Sequence, residues 1–312
     1  MPESIDHGHA PVEPEWVAPL IGVFVLATAL LAGCGGGSPS SNRTLDALTK
    51  RPGPNVALIG GAADFQPGDV RFPFLVLRSD ARPVERPTAQ VWLATGRGRR
   101  PFARTTAQLE AIGVPEGSAG TDSVNRIYIV HLPIPRPGRY WLVAEPTGAR
   151  IQALGPLDVS AHSSSPAIGA RAPRSNTPTL ASADGNAARL TTRRPPDLAL
   201  LRYSVAASLD AHRPFVVSFV SPGFCDSRTC GQVVDVVDAV RKRFSSSEVR
   251  FIHVEAYIDN DPRKGFNRWM EQWDLPSQPW TFLVGSNGRV AAKFEGGVSE
   301  AELGAAVRKT LR

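Results

Sequence analysis

Cys225 and Cys230 are the residues of this 312-residue chain with the most evident chemistry, set five positions apart in Phe224-Cys225-Asp226-Ser227-Arg228-Thr229-Cys230. A thiolate attacks a disulfide sulfur, and a second thiol within reach resolves the mixed disulfide, so a close pair is the minimum equipment for thiol–disulfide exchange. The apolar run Pro214 to Val220 before the pair predicts a buried strand, which Ser221-Pro222-Gly223 breaks. After it, Val233, Val236, Val237, Val240 and Phe244 fall on one helical face. The pair is therefore expected at a strand-to-helix turn, with Cys230 in or near the first turn of the helix. There, unpaired N–H groups and the positive end of the helix dipole favour thiolate over thiol. Arg228 adds a nearby cation. The same spacing also fits a small structural disulfide that only pins the turn, and both readings stand.

Length and composition bound the rest. The chain is long enough for two ordinary domains, and its 42% hydrophobic and 21% charged residues are those of a globular protein. The net charge of +6 is nearly all arginine, because lysine occurs only at 50, 242, 264, 293 and 309. The arginines are spread along the chain with no aromatic-interleaved basic patch, so no nucleic-acid partner is expected. A mild attraction to anionic membrane surfaces fits equally well. Three cysteines do not make a disulfide-dense scaffold. No phosphate loop, Gly-x-Ser-x-Gly elbow or zinc spacing is present. Asp259-Asn260-Asp261 lacks the Gly and distal Glu of a calcium loop and reads as a polar turn. Neither a cofactor nor a metal is expected.

Cys34 has a separate explanation. It follows the apolar stretch Val17 to Ala32 and precedes Gly35-Gly36-Gly37. The stretch is short for a membrane span and suits a signal-peptide core. Leu31-Ala32-Gly33-Cys34 resembles the bacterial lipobox, which implies cleavage before Cys34 and lipidation on it. On that resemblance residues 1–33 are a signal peptide and 34–51 a flexible tether, with the protein lipid-anchored on the extracytoplasmic face of the cell membrane. The segment before the apolar run departs from the pattern, carrying Glu3, Asp6, Glu13 and Glu15 and no Lys or Arg. A single uncleaved transmembrane anchor is the alternative.

Residues 52–160 offer short β-rich segments at Val56–Ile59, Val70–Leu77, Ala89–Ala94, Ile127–Leu132, Tyr140–Ala144 and Ile151–Val159, with turn signals between them. This spacing predicts an antiparallel sandwich similar to immunoglobulin-like modules, serving as a spacer or a partner-binding module. Pro73 argues for an edge position. His131 reads as a strand residue rather than a ligand. Residues 161–165 are expected to form a linker, and 166–312 a second domain.

That second domain carries the more specific likeness. The order strand–helix–strand–helix–strand–strand–helix, the lead-in Ile168-Gly169-Ala170-Arg171-Ala172-Pro173, and Gln278-Pro279-Trp280-Thr281-Phe282-Leu283-Val284-Gly285-Ser286-Asn287-Gly288-Arg289-Val290 resemble membrane-tethered bacterial thiol–disulfide oxidoreductases of the thioredoxin-like group. The resemblance implies an α/β thioredoxin-like fold, a cis Pro279 beside the cysteines that docks the partner's chain, Cys225 as nucleophile and Cys230 as resolving thiol. It implies partner proteins of the cell envelope whose thiols or disulfides are exchanged. The family has Trp-Cys-x-x-Cys, whereas two further residues separate the thiols here, and Ser218 stands where a buried acid is common. Glu255 on the neighbouring strand is the substitute acid. Two other functions remain open: a non-catalytic thioredoxin-fold binding module with a structural disulfide, and copper handling by the thiols with His253.

Overall fold

The computed structural model describes residues 43–114, 124–224 and 229–312. The readings placed on residues 1–33, Cys34, Cys225 and Arg228 lie outside these. Strand β8 (Phe215–Phe219) is buried at every residue, which is what a near-continuous Val/Phe run buys at the centre of a covered sheet. It pairs in parallel with β9 (Arg250–Val254) and antiparallel with β10 (Trp280–Val284). Strand β11 (Val290–Glu295) completes a four-stranded sheet of order β11-β10-β8-β9. Helix α3 (Cys230–Arg241) crosses from β8 to β9, and α5 (Glu300–Thr310) follows β11. Ser299 caps α5 in a full capping box with Glu302. Along the chain the elements follow the strand–helix–strand–helix–strand–strand–helix order on which the thioredoxin-like resemblance rested.

Two stretches of the C-terminal half break into short helical pieces where the backbone requires it. Residues 199–209 divide into a 3₁₀ turn (Leu198–Leu201) and α2 (Val205–Asp210), because the Ser204 hydroxyl accepts from Ala207 N and starts a new helix. Residues 262–273 yield only the 3₁₀ turn Pro262–Lys264 and α4 (Arg268–Gln272), separated by Gly265 at φ +80. Asp259-Asn260-Asp261 is the polar turn expected, closed by Lys264 on Asp259 and Arg263 on Asp261.

Helix α3 is buried on more than its valine face, since Gln232, Asp235 and Asp238 are also covered. Each polar group is met: Arg193 Nη2 donates to Asp235 at 2.7 Å, and Arg241 and Lys242 hold Asp238. Burial and a hydrogen bond to Asp238 raise the pKa of Asp197. Asp238 is pushed up by burial, but hydrogen bonds from Asp197, Lys242 and Arg241 outweigh it and bring it to about 2. A carboxyl raised in the fold gives stability that is complete below its unfolded value of 3.8 and lost as pH rises through the raised value. Asp197→Asn keeps a donor for Asp238 and carries no charge. It should therefore stabilise the protein at neutral pH by a few tenths to about 1 kcal/mol. The gain should shrink towards zero as pH falls through the carboxylate range, read from urea midpoints at each pH.

The N-terminal part contains seven strands: β1 (Val56–Gly60), β2 (Gly68–Arg78), β3 (Thr88–Ala94), β4 (Ala103–Ala111), β5 (Arg126–Ile134), β6 (Gly138–Pro146) and β7 (Ala153–Val159). All pair antiparallel in one sheet of order β1-β2-β5-β4-β3-β6-β7. The expectation was two packed sheets. Instead one sheet curls round a single core that includes Leu58, Phe72, Phe74, Leu93, Tyr128 and Leu142. Its ends approach so closely that a Cβ on Gly155 of β7 would lie 2.8 Å from Leu58 Cδ2 of β1. Pro73 is not on an edge strand, because β2 lies between β1 and β5. Its missing N–H falls just past the last β1 pair, Gly60 with Phe74, where Gly61 N donates to Pro73 O. Residues 45–49, expected within a tether, form helix α1 (Leu45–Thr49). Leu45 and Leu48 bury against Trp92 and Val143 on the outer face of the sheet, and the Thr44 hydroxyl caps the turn.

Residues Ser41–Arg312 form one compact unit, and the seam between its halves is dense in hydrogen bonds. Arg71 of β2, with 12% of its side chain exposed, makes a two-pronged bond to Glu302 at 2.6 and 2.9 Å and donates to Gly297 O at 2.7 Å. Glu295 accepts from the backbone N–H of Ala63 and Asp64 at 2.9 and 2.8 Å. A Cβ on Gly296 would sit 2.1 Å from Gly61 O, so glycine permits the approach. Residues 161–165, read as a linker, are fixed. Ser163 and Ser165 donate to Asp64 Oδ2 and accept from Lys293 Nζ at 2.6 and 2.9 Å. Burial lowers the Lys293 pKa against the pull of Asp64 and Glu295. Among the described residues no helix is long and apolar enough to cross a membrane.

Candidate functional site

Cys230 is the first residue of α3, where the sequence placed it, and is 1% exposed. It is disulfide-bonded. The other two cysteines of the chain, Cys34 and Cys225, lie outside the described residues. The turn leading to Cys225 emerges from β8 through buried Ser221 to exposed Gly223 and Phe224, the latter 42% exposed. The Gln278–Pro279 peptide is cis, as the resemblance implied, and Pro279 is buried at the start of β10.

What joins Pro279 to the cysteine turn is Gln278, which sequence reasoning passed over. Its Oε1 accepts from Ser221 N, while Nε2 donates to Phe224 O at 2.9 Å and to the Tyr257 hydroxyl at 3.1 Å. One side chain thus grips both ends of the four residues before Cys225. The only sequence signal was a long polar side chain placed immediately before the proline. These bonds belong to the disulfide-bonded form described. Gln278→Ala should therefore shift the dithiol/disulfide ratio in a fixed glutathione buffer several-fold to about tenfold towards the dithiol. Alkylation of the equilibrated protein reads the ratio.

From below, the turn is held by a segment that the sequence did not single out. Gly223 N donates to Thr192 Oγ1 at 2.8 Å, and Thr192 N donates to Glu255 Oε2 at 2.7 Å. The Thr192 hydroxyl also donates to Glu255, whose carboxylate is 5% exposed. Glu255 thus reaches the cysteine turn through Thr192, not directly. Ser218, at the strand position where an acid is common, is 1% exposed and bonds Thr281 Oγ1 at 3.2 Å, so no carboxylate occupies that place. The Arg194–Pro195 peptide beside this segment is also cis.

Neither histidine named from the sequence is set apart for a ligand. His131 faces Asp69 at 3.0 Å on the exposed side of the sheet. His253 lies 4% exposed on β9 with Nε2 on Thr191 Oγ1 at 2.9 Å. Among the described residues no three His, Cys, Asp or Glu side chains are placed to hold a metal. Trp273 and Trp280 are core residues. Trp273 lies between Phe219 and Phe282, with ring centroids at 5.1 and 4.8 Å.

No family model and no curated protein sequence matches the chain. Among solved structures, similarity is found to a thioredoxin-family thiol:disulfide interchange protein from Chlorobium tepidum, at 16% identity over 34% of this chain and 85% of that one, TM-score 0.27. A thioredoxin-like superfamily protein matches at 16% identity over 32% and 80%, TM-score 0.26. The PKD domain of the human receptor SorCS2 matches at 18% identity over 41% and 92%, TM-score 0.17. The thioredoxin-like fold of the C-terminal half stands on its own strand order and on the parallel β8–β9 and antiparallel β8–β10 pairs.

Proposed function

We propose that the protein exchanges thiols and disulfides with partner proteins of the cell envelope through Cys225 and Cys230, held at the membrane by its N-terminal segment. The reading rests chiefly on Gln278, which ties the cis-proline loop to the turn that runs into Cys225. In the reducing direction the Cys225 thiolate attacks a partner disulfide. A bond forms between Cys225 and one partner sulfur, and the other partner sulfur leaves as a thiolate and takes up a proton. Cys230, as thiolate, then attacks the Cys225 sulfur, closes the internal disulfide and releases the partner's second thiolate. The oxidising direction is the reverse.

Buried Cys230 suits the resolving role, and the exposed Gly223–Phe224 approach suits a nucleophile at Cys225. Glu255, through Thr192, is the carboxylate that polarises the turn. Anchoring is by lipid on Cys34, with a single transmembrane anchor as the alternative. Cys230→Ser should trap mixed disulfides on Cys225 that Cys225→Ser does not form, seen on non-reducing gels of envelope extracts. Equal trapping by both variants, or by neither, contradicts the reading. A second reading, a binding module with a structural disulfide, is favoured by the burial of Cys230 alone.

A further inference from the structure

We infer that one end of the N-terminal sheet is a docking face for the anionic surface of a phospholipid bilayer. The loop 95–102 between β3 and β4 carries Arg97, Arg99 and Arg100, all exposed. The turn 135–137 before β6 brings Arg136, and Arg139 is the second residue of β6 at the same end of the sheet. That the two segments share an end follows from the register, since Leu93 pairs with both Ala103 and Leu142 and Ala94 pairs with Trp141. Phe102, 47% exposed, joins them by an edge contact to Tyr140 at 5.9 Å between centroids.

The charge at this end is one-sided. Neither loop contains an acid. Asp46 is bound to Arg97 at 3.0 Å and Asp158 to Arg139 at 2.6 Å, while Asp69, further round on β2, faces His131. Arg99, Arg100 and Arg136 have no acidic partner among the described residues. Three uncompensated guanidiniums beside an exposed aromatic ring suit lipid phosphates and the headgroup layer.

The path of the chain favours a membrane over other polyanions. Helix α1 begins at this end: Leu45 N donates to Arg99 O at 3.1 Å and Asp46 N to Arg97 O at 3.0 Å. Past its far end, Arg51 reaches Glu145, which pairs with Gln90 well back along β3. The preceding chain therefore joins the folded unit at this basic end. Cys34 and the apolar stretch Val17–Ala32 stand only a short way upstream in sequence. Ten residues between Cys34 and Leu45 span at most about 35 Å. The inference rests on the anchored reading of that segment, which keeps the basic end within reach of the surface.

The test uses the full chain, floated with phosphatidylcholine vesicles and with vesicles in which part of that lipid is phosphatidylglycerol. Trypsin cleavage after Arg97 is followed on both. Cleavage should be slower on the phosphatidylglycerol vesicles by about tenfold or more. The difference should vanish when salt is raised about tenfold, and in the triple variant R99E/R100E/R136E. Equal cleavage on the two vesicles overturns the inference, as does a difference that survives in the triple variant. Equal protection by a short DNA duplex at matched phosphate concentration also overturns it. Failure to float with phosphatidylcholine alone counts against the anchor instead, and the phosphatidylglycerol-dependent protection then still reports on the face.

Discussion

Trp273→Ala should destabilise the protein by about 3–5 kcal/mol, the largest single effect expected from its core. The indole is fully buried, wedged between Phe219 of β8 and Phe282 of β10, and its Nε1 donates to Ser175 Oγ at 3.0 Å. Removing it opens a cavity on the face of the two central strands and leaves that serine, itself fully buried, without its donor. The effect should extend to the site, because β8 feeds the cysteine turn and β10 begins directly after Pro279. Denaturant midpoints give the stability. Trp273→Phe, which fills most of the space but cannot donate, should cost less than half as much. Equal loss in both variants would show that the hydrogen bond rather than the volume dominates.

Arg71→Ala should lower stability by about 2–4 kcal/mol, a large effect for one ion pair. Exposed pairs contribute little, but here the side chains of Arg71 and Glu302 are only 12% and 15% exposed. The guanidinium also fills Gly297 O and stacks over Phe294 at 5.5 Å. Loss of the arginine strands a covered carboxylate at the start of α5. Arg71→Met with Glu302→Gln keeps the stem packing, leaves no lone charge and retains a capping acceptor on Glu302. That double variant should recover at least half of the loss. Because residues 41–312 form one compact unit, unfolding of Arg71→Ala should remain a single transition. Two separated transitions would mean the halves fold independently.

Much of this was legible in the sequence, for identifiable reasons. Strands β1–β3 and β5–β7 showed themselves as apolar or alternating runs between turn residues. Strand β4 did not, because Ala103–Ala111 contains a single fully buried position, Ala107. Helix α1 is five residues long and left only Leu45 and Leu48 as a signal. The strand before the cysteines and the helix that Cys230 opens were plain from residue order, and the cis proline followed from the resemblance. The clamp on the turn was not, because its parts come from far apart: 57 positions separate Ser221 from Gln278, and 63 separate Thr192 from Glu255. Hydrogen bonds of that span depend on tertiary packing and leave no periodicity behind. The seam was hidden for the same reason, and its serines were read as linker composition.

The most direct measurement is the midpoint potential of the Cys230 disulfide in the full chain. Residues from 166 onward alone would leave Glu302, Lys293 and Glu295 without their partners. The protein is equilibrated in graded glutathione or dithiothreitol buffers, and free thiols are alkylated and counted. The account predicts a potential between about −120 and −270 mV, the range of proteins that exchange disulfides. A value below about −300 mV, where structural disulfides lie, would contradict it.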